Sequence, residues 1–142
     1  MIHLLAGAAV LAADRIMKNR IECADPGTLP RKAAGGTVIL TRTHNYGFAF
    51  NRMDSKPALV KAVTTAAGVI CTGLVWKLAA GRDGAAKLGA ALITAGAVSN
   101  VSDRWKWGYV VDYISFPLGK LRRISFNIAD FAVVIGALLS AH

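Results

Sequence analysis

The stretch Ala62–Trp76 contains no charged side chain and offers only threonines as polar groups, with Lys61 and Lys77 bracketing it. A helix of such residues has no polar stripe to turn toward water, which every helix of a soluble bundle needs. It is the centre of the apolar block Pro57–Ala80, and three more blocks accompany it. Met1–Ala13 has a helical character that runs on to about Ile21, a third block extends from near Ala85 to Val98, and Ile128–Ala141 is interrupted only by Asp130. A membrane-spanning helix takes about 20 predominantly apolar residues, and each block reaches that length once its polar end is included. All four are rich in Ala, Gly, Ser and Thr, the small residues that let helices approach closely in a bilayer. The pattern predicts a mostly α, polytopic membrane protein with four transmembrane helices, at roughly 1–21, 57–80, 85–106 and 127–141.

With 142 residues the chain makes a single domain. Its 54% hydrophobic content against 18% charged excludes disorder. Seventeen Lys and Arg against eight Asp and Glu give a net charge of +9, which in an apolar chain points to basic flanks of membrane helices or to nucleic acid. No interleaving of basic and aromatic residues of the kind used for base stacking is present, and Trp105-Lys106-Trp107 suits an interfacial aromatic belt, so no nucleic-acid partner is expected. Cys23 and Cys71 form no metal or redox pattern, and His3, His44 and His142 are scattered. Neither a metal nor a cofactor is expected. Met1–Ala13 lacks a long basic leader and an A-x-A site, so it does not read as a cleaved signal peptide.

Between the first two blocks lies the most polar region, Glu22–Lys56. Its turn signals (Pro26-Gly27, Pro30, Gly35-Gly36) are followed by the β-branched run Thr37–Thr43 and then Asn45–Phe50, which predicts a small sheet outside the bilayer. Gly81–Gly84 is a loop short enough to join antiparallel helices, and Gly108–Ser125 links the last two blocks through the extended run Tyr109–Ile114.

Four acids, Asp14, Asp103, Asp112 and Asp130, lie in or at the ends of apolar sequence, where an ionisable group is costly and marks a functional candidate. Asp14 and Lys18 share a helix face at i, i+4, and Asn100, Asp103 and Arg104 repeat the pattern at i, i+3 and i+4. Structural pairing that closes a helix end accounts for Asp14, Lys18 and Arg104; for Asp103 both readings stand. Asn127 suits a helix N-cap, and Asp130 a first-turn carboxylate favoured by the helix dipole. Asp112 has no such explanation, since it breaks Val110-Val111-Asp112-Tyr113-Ile114 with no basic neighbour at helical spacing. Two carboxylates flanking one return of the chain are placed to meet across it. Like charges held close cannot both ionise, so one keeps its proton, as aspartic proteolysis requires.

Five motifs share their order and spacing with one family. Asp14-x-x-x-Lys18, Asn45-x-Gly47-x-Ala49-Phe50, Gly96-x-x-x-Asn100-x-x-Asp103-Arg104, Val110-Val111-Asp112-Tyr113 and Phe126-Asn127-x-Ala129-Asp130 together resemble the lipoprotein signal peptidases (signal peptidase II). The resemblance implies a single membrane-embedded peptidase domain over residues 1–142, multi-pass in the bacterial cytoplasmic (inner) membrane. Its β-cradle, here residues 22–56, and its active site would face the extracytoplasmic side. It implies cleavage of prolipoproteins just before a diacylglyceryl-modified cysteine, with no metal or organic cofactor. Asp112 and Asp130 would be the catalytic pair. Asn45, Gly47, Asn100, Arg104 and Asn127 would line the site and orient substrate, supported by Asp14, Lys18 and Asp103. Prolipoprotein substrates and membrane lipids are the expected partners.

The chain departs from the family pattern at several positions. Met17 stands where Ser or Thr is usual, Phe48 replaces a small residue, Ser99 replaces Gly, and Tyr113 replaces Phe. These departures suggest a divergent member and leave a second reading open, a non-catalytic membrane relative that binds lipidated or signal-peptide helices. The charge distribution opposes the implied orientation. Only Lys77, Arg82 and Lys87 fall on the side of the short loop and termini, and the other fourteen basic residues fall on the active-site side. The positive-inside rule alone would turn that side to the cytoplasm.

Overall fold

A computed structural model describes residues 1–47 and 55–141. Four helices, α1 (Ile2–Glu22), α2 (Pro57–Ala79), α3 (Gly84–Lys106) and α4 (Ile128–Ala141), support a four-stranded antiparallel sheet. Its strands are β1 (Arg31–Ala33), β2 (Val38–Asn45), β3 (Val110–Ser115) and β4 (Ser125–Phe126), in the order β1-β2-β3-β4. Half of the sheet thus comes from the α3–α4 connection, outside residues 22–56. The structure is mostly helical with a small sheet.

The polarity of the helices is inverted. In α1 the buried face is Gly7, Asp14, Lys18 and Ile21, while Leu4 and Leu5 point outward. Val69, Ile70 and Leu74 of α2 and Val134 and Leu138 of α4 are likewise exposed. Among the described residues, α2 alone is both long and apolar enough to cross a membrane, and α4 is apolar but has 14 residues. At 1.5 Å per residue α1 and α3 are about 31 and 35 Å long. Their lower mean hydropathy comes mainly from charged groups near the C-terminal end of each, Asp14 to Glu22 and Asp103 to Lys106, with Lys87 at the other end of α3.

α3 is the hub, packed against the other three helices. Its approach to α4 is set by glycine: a Cβ on Gly136 would lie 2.6 Å from the Gly89 carbonyl oxygen, and one on Gly96 would lie 2.5 Å from that of Ala129. Such contacts bring two backbones together where no larger side chain fits. Asp83 caps the start of α3 by accepting from the Ala86 amide at 3.0 Å. Trp76 and Trp105 tie α2 to α3 by donating their indole N–H groups to Thr94 (2.9 Å) and Thr65 (3.0 Å).

The sheet is pinned to the end of α1. Arg42 lies within the register shift between β2 and β3 and donates to the carbonyls of Ile21, Glu22 and Ala24, the orphan acceptors of a helix C-terminus. β3 is one of the two inner strands, with Val110, Val111, Asp112, Tyr113 and Ser115 all buried. This strand delivers a carboxylate to the core.

Candidate active site

The first turn of α4 builds one half of the site. Asn127 Oδ1 accepts from the Asp130 amide at 2.9 Å, and Asp130 Oδ2 accepts from the Asn127 amide at 3.0 Å, a reciprocal cap that fixes both side chains. This is the N-cap geometry that spacing suggested, and it leaves Asn127 Nδ2 free to reach across the return. That nitrogen donates to Asp112 Oδ1 at 2.7 Å, so one asparagine is bonded to both carboxylates. Asn127 Nδ2 also approaches Asn100 Oδ1 at 3.2 Å.

Asp112 reaches the site from β3, opposite Thr43 of β2. Its second oxygen accepts from Asn45 Nδ2 at 3.3 Å. Burial, and then the charge of Asp130, push its carboxyl up to about 7, against the opposing bonds from Asn127 and Asn45. Asn100 joins the helices by donating to Asp130 Oδ1 at 2.9 Å while its own oxygen accepts from Lys18 Nζ at 2.9 Å. Both aspartates, with Asn45, Asn100 and Arg104, line a cavity of about 380 Å³ bounded by α2, α3 and the sheet. It continues past Gly68, Ala97 and Val101 into an apolar groove of about 570 Å³ between α2 and α3.

Behind the dyad lies a buried ionic cluster. Lys18 Nζ stands 2.8 Å from both Asp14 Oδ2 and Asp103 Oδ2. Asp103 also meets Arg15 at 3.1 Å, and Asp14 accepts from Ser99 Oγ at 2.6 Å and from the Tyr113 hydroxyl at 2.8 Å. That hydroxyl in turn accepts from the Ile128 amide at 3.2 Å, linking α1 to the start of α4. Burial, and then the Asp14 charge, hold the Tyr113 phenol above its ordinary pKa. Asp103 is therefore an interhelical ion-pair partner. Arg104 makes no pair along its own helix: it crosses to the end of β2 and donates to the carbonyls of Asn45 (3.3 Å) and Gly47 (2.6 Å).

The structure thus brings together Asp14, Lys18, Asn45, Gly47, Asn100, Asp103, Arg104, Asp112, Asn127 and Asp130. Phe48, with Ala49 and Phe50 of the same motif, lies outside the described residues. Sequence reasoning missed Arg15, and it noted Ser99 and Tyr113 only as departures. Their partners sit 85 to 99 residues away in the chain, and no local spacing signals them. Among the described residues, no group of three or more His, Cys, Asp or Glu is placed to hold a metal ion.

Comparison with known proteins places the chain in a family. A lipoprotein signal peptidase of Moorella thermoacetica is 31% identical over 139 residues, which is 98% of this chain and 89% of the relative. One from Xanthomonas campestris pv. campestris is 34% identical over 141 residues, 97% of this chain and 84% of the relative. A third, from Allorhizobium ampelinum, is 41% identical over 98 residues, and the match spans 69% of this chain and 60% of that relative's length. Two solved structures of bacterial membrane enzymes share the fold. One has a TM-score of 0.83 at 22% identity, covering 97% of this chain and 84% of the other. The second has a TM-score of 0.77 at 25% identity, covering 97% and 88%. The model of the signal peptidase (SPase) II family matches residues 6–142. The chain belongs to the signal peptidase II family of proteases.

Proposed function

We propose that this chain is a lipoprotein signal peptidase, an intramembrane aspartic endopeptidase that cleaves prolipoproteins before a diacylglyceryl-modified cysteine. The observation that carries the reading is Asn127, whose backbone and side chain bond one oxygen of each of two carboxylates lining a cavity continuous with an apolar groove. Asp112, pushed up to about 7, holds the shared proton. Asp130 accepts two N–H donors at a helix N-terminus, a setting that suits the ionised partner. Asp130 takes a proton from water, and the oxygen adds to the scissile carbonyl carbon. Asp112 donates its proton to the carbonyl oxygen; as the adduct collapses, Asp130 passes its newly acquired proton to the leaving amine nitrogen, Asp112 takes back a proton from the adduct's hydroxyl, and the C–N bond breaks. Asn45, Gly47, Asn100, Arg104 and Asn127 shape the site, and the Asp14–Lys18–Asp103 cluster holds α1 and α3 behind it.

The whole of 1–142 acts as one peptidase domain with four spans in the bacterial inner membrane and the site toward the extracytoplasmic face. The outward apolar faces of α1, α2 and α4 support this placement. The basic surplus on the site's side is compatible with it, because Arg15, Lys18, Arg42 and Arg104 are bonded within the fold and do not act as loop charges. Prolipoproteins and the surrounding lipids are its partners. The test is expression in bacteria depleted of their own enzyme. Wild type restores prolipoprotein processing, and Asp112→Asn or Asp130→Asn lowers it by on the order of 10²–10⁴-fold. Normal processing by either variant rejects the proposal.

A further inference from the structure

A hydrolase whose substrate arrives through an apolar groove still consumes one water per bond cut. Two cavities meet at Asp112, and they differ in character. The larger opens toward the α2–α3 groove, whose walls include Val69, Val98 and Trp105. The smaller, about 240 Å³, lies on the sheet side and is lined by Thr43, His44, Asn45, Arg123 and Ser125, with Ile124 as its one apolar wall. Asn45, Asp112, Ile124 and Ser125 belong to both, so the carboxylate stands at their junction.

Two further observations set the smaller cavity apart. Thr43 is exposed and is the direct cross-strand partner of Asp112, so the two side chains stand on the same face of the sheet and line the same cavity, one of them in contact with solvent. The hydroxyls of Thr43 and Ser125 stand 3.1 Å apart, and Ser125 and Ser115 stand 2.9 Å apart, forming a row across β2, β4 and β3. Hydroxyls both donate and accept, so water passing them keeps its hydrogen bonds. A substrate seated in the larger cavity would close that side to water and leave this one open.

We infer that the polar cavity bounded by Thr43, Ser125 and Arg123 is the aqueous entry through which the hydrolytic water reaches Asp112 and Asp130. The inference rests on the proteolytic reading above. In the overall step water adds H to the departing amine and OH to the carbonyl carbon as the C–N bond breaks, so each turnover needs one refill through this opening.

The test uses the full chain with Cys23→Ala and Cys71→Ala, both exposed positions, and Thr43→Cys or Arg123→Cys, which line the smaller cavity and not the larger, added singly. Each protein, purified in detergent, is treated with a charged methanethiosulfonate and assayed on a diacylated peptide before and after. Labelling is expected to lower kcat by at least about tenfold with KM unchanged, reversibly with dithiothreitol. Three results overturn the inference: no labelling while wild-type Cys23 reacts, labelling without effect on kcat, or a rise in KM at constant kcat. The last would make the cavity a peptide subsite. If Thr43→Cys does not fold, Arg123→Cys at an exposed position gives the same readout. Failure of the proteolytic reading looks different, because unlabelled protein then shows no cleavage that Asp112→Asn abolishes.

Discussion

Lys18→Met tests the ionic cluster that supports the dyad. Asp14, Lys18 and Asp103 have side-chain exposures of 0%, and one ammonium lies 2.8 Å from each carboxylate. Removing one partner of a buried ion pair leaves an uncompensated charge and typically costs about 3–5 kcal/mol, whereas an exposed lysine such as Lys32 should change stability by less than about 0.5 kcal/mol. The loss is not shared equally. Asp103 keeps Arg15 at 3.1 Å, but Asp14 keeps only the hydroxyls of Ser99 and Tyr113. Asp14→Asn added to Lys18→Met should therefore recover about 1–3 kcal/mol, a coupling within the range seen for contacting residues. Equilibrium unfolding in mixed detergent micelles, followed by tryptophan fluorescence, measures each variant. A Lys18→Met cost below about 1 kcal/mol, or no recovery in the double variant, would refute the assignment of Lys18 as the counter-charge of Asp14.

Three other outcomes follow from particular contacts. Because Asp112 is pushed up to about 7 and holds the dyad's proton, kcat/KM should fall as pH rises through about 7. A pH–rate profile that stays flat from about 6 to 9 would contradict that role. Gly136→Ala drives a methyl into the Gly89 carbonyl and Ile93, and should cost about 1–3 kcal/mol. Gly73→Ala meets nothing within 4 Å and should change stability by less than about 1 kcal/mol, so thermal unfolding of the pair isolates the α3–α4 approach. Tyr113→Phe strips Asp14 of a donor and the Ile128 amide of its acceptor, and should lower stability by about 1–3 kcal/mol in the same assay.

What sequence alone revealed follows the reach of each interaction. Asp14 and Lys18 sit one turn apart and pair as that spacing dictates. Asn127 and Asp130 are likewise local, and their reciprocal cap is a property of a helix start. Asp112 stood out because a carboxylate in a run of buried β-branched residues has no local explanation. The sheet was only half legible, since β3 and β4 lie far along the chain from β1 and β2 and their pairing is a tertiary fact. Arg104 was misleading for the same reason: its spacing suggested a helix-end pair, but its partners are the carbonyls of Asn45, at the end of β2, and Gly47, just beyond it. The four spans were inferred from apolar blocks, yet α1 and α3 bury their charges inward, and that inversion appears only when the helices are packed.

The central claim is hydrolysis by the Asp112–Asp130 pair, and mass spectrometry of products from purified protein tests it most directly. A synthetic signal-peptide segment carrying a diacylglyceryl cysteine should be cut once, immediately before that cysteine, with no cut in the unlipidated peptide. Asp112→Asn and Asp130→Asn should each leave the substrate intact over the same period. Cleavage by either variant at the wild-type rate, or binding of the lipidated peptide with no cleavage by wild type, would contradict the account.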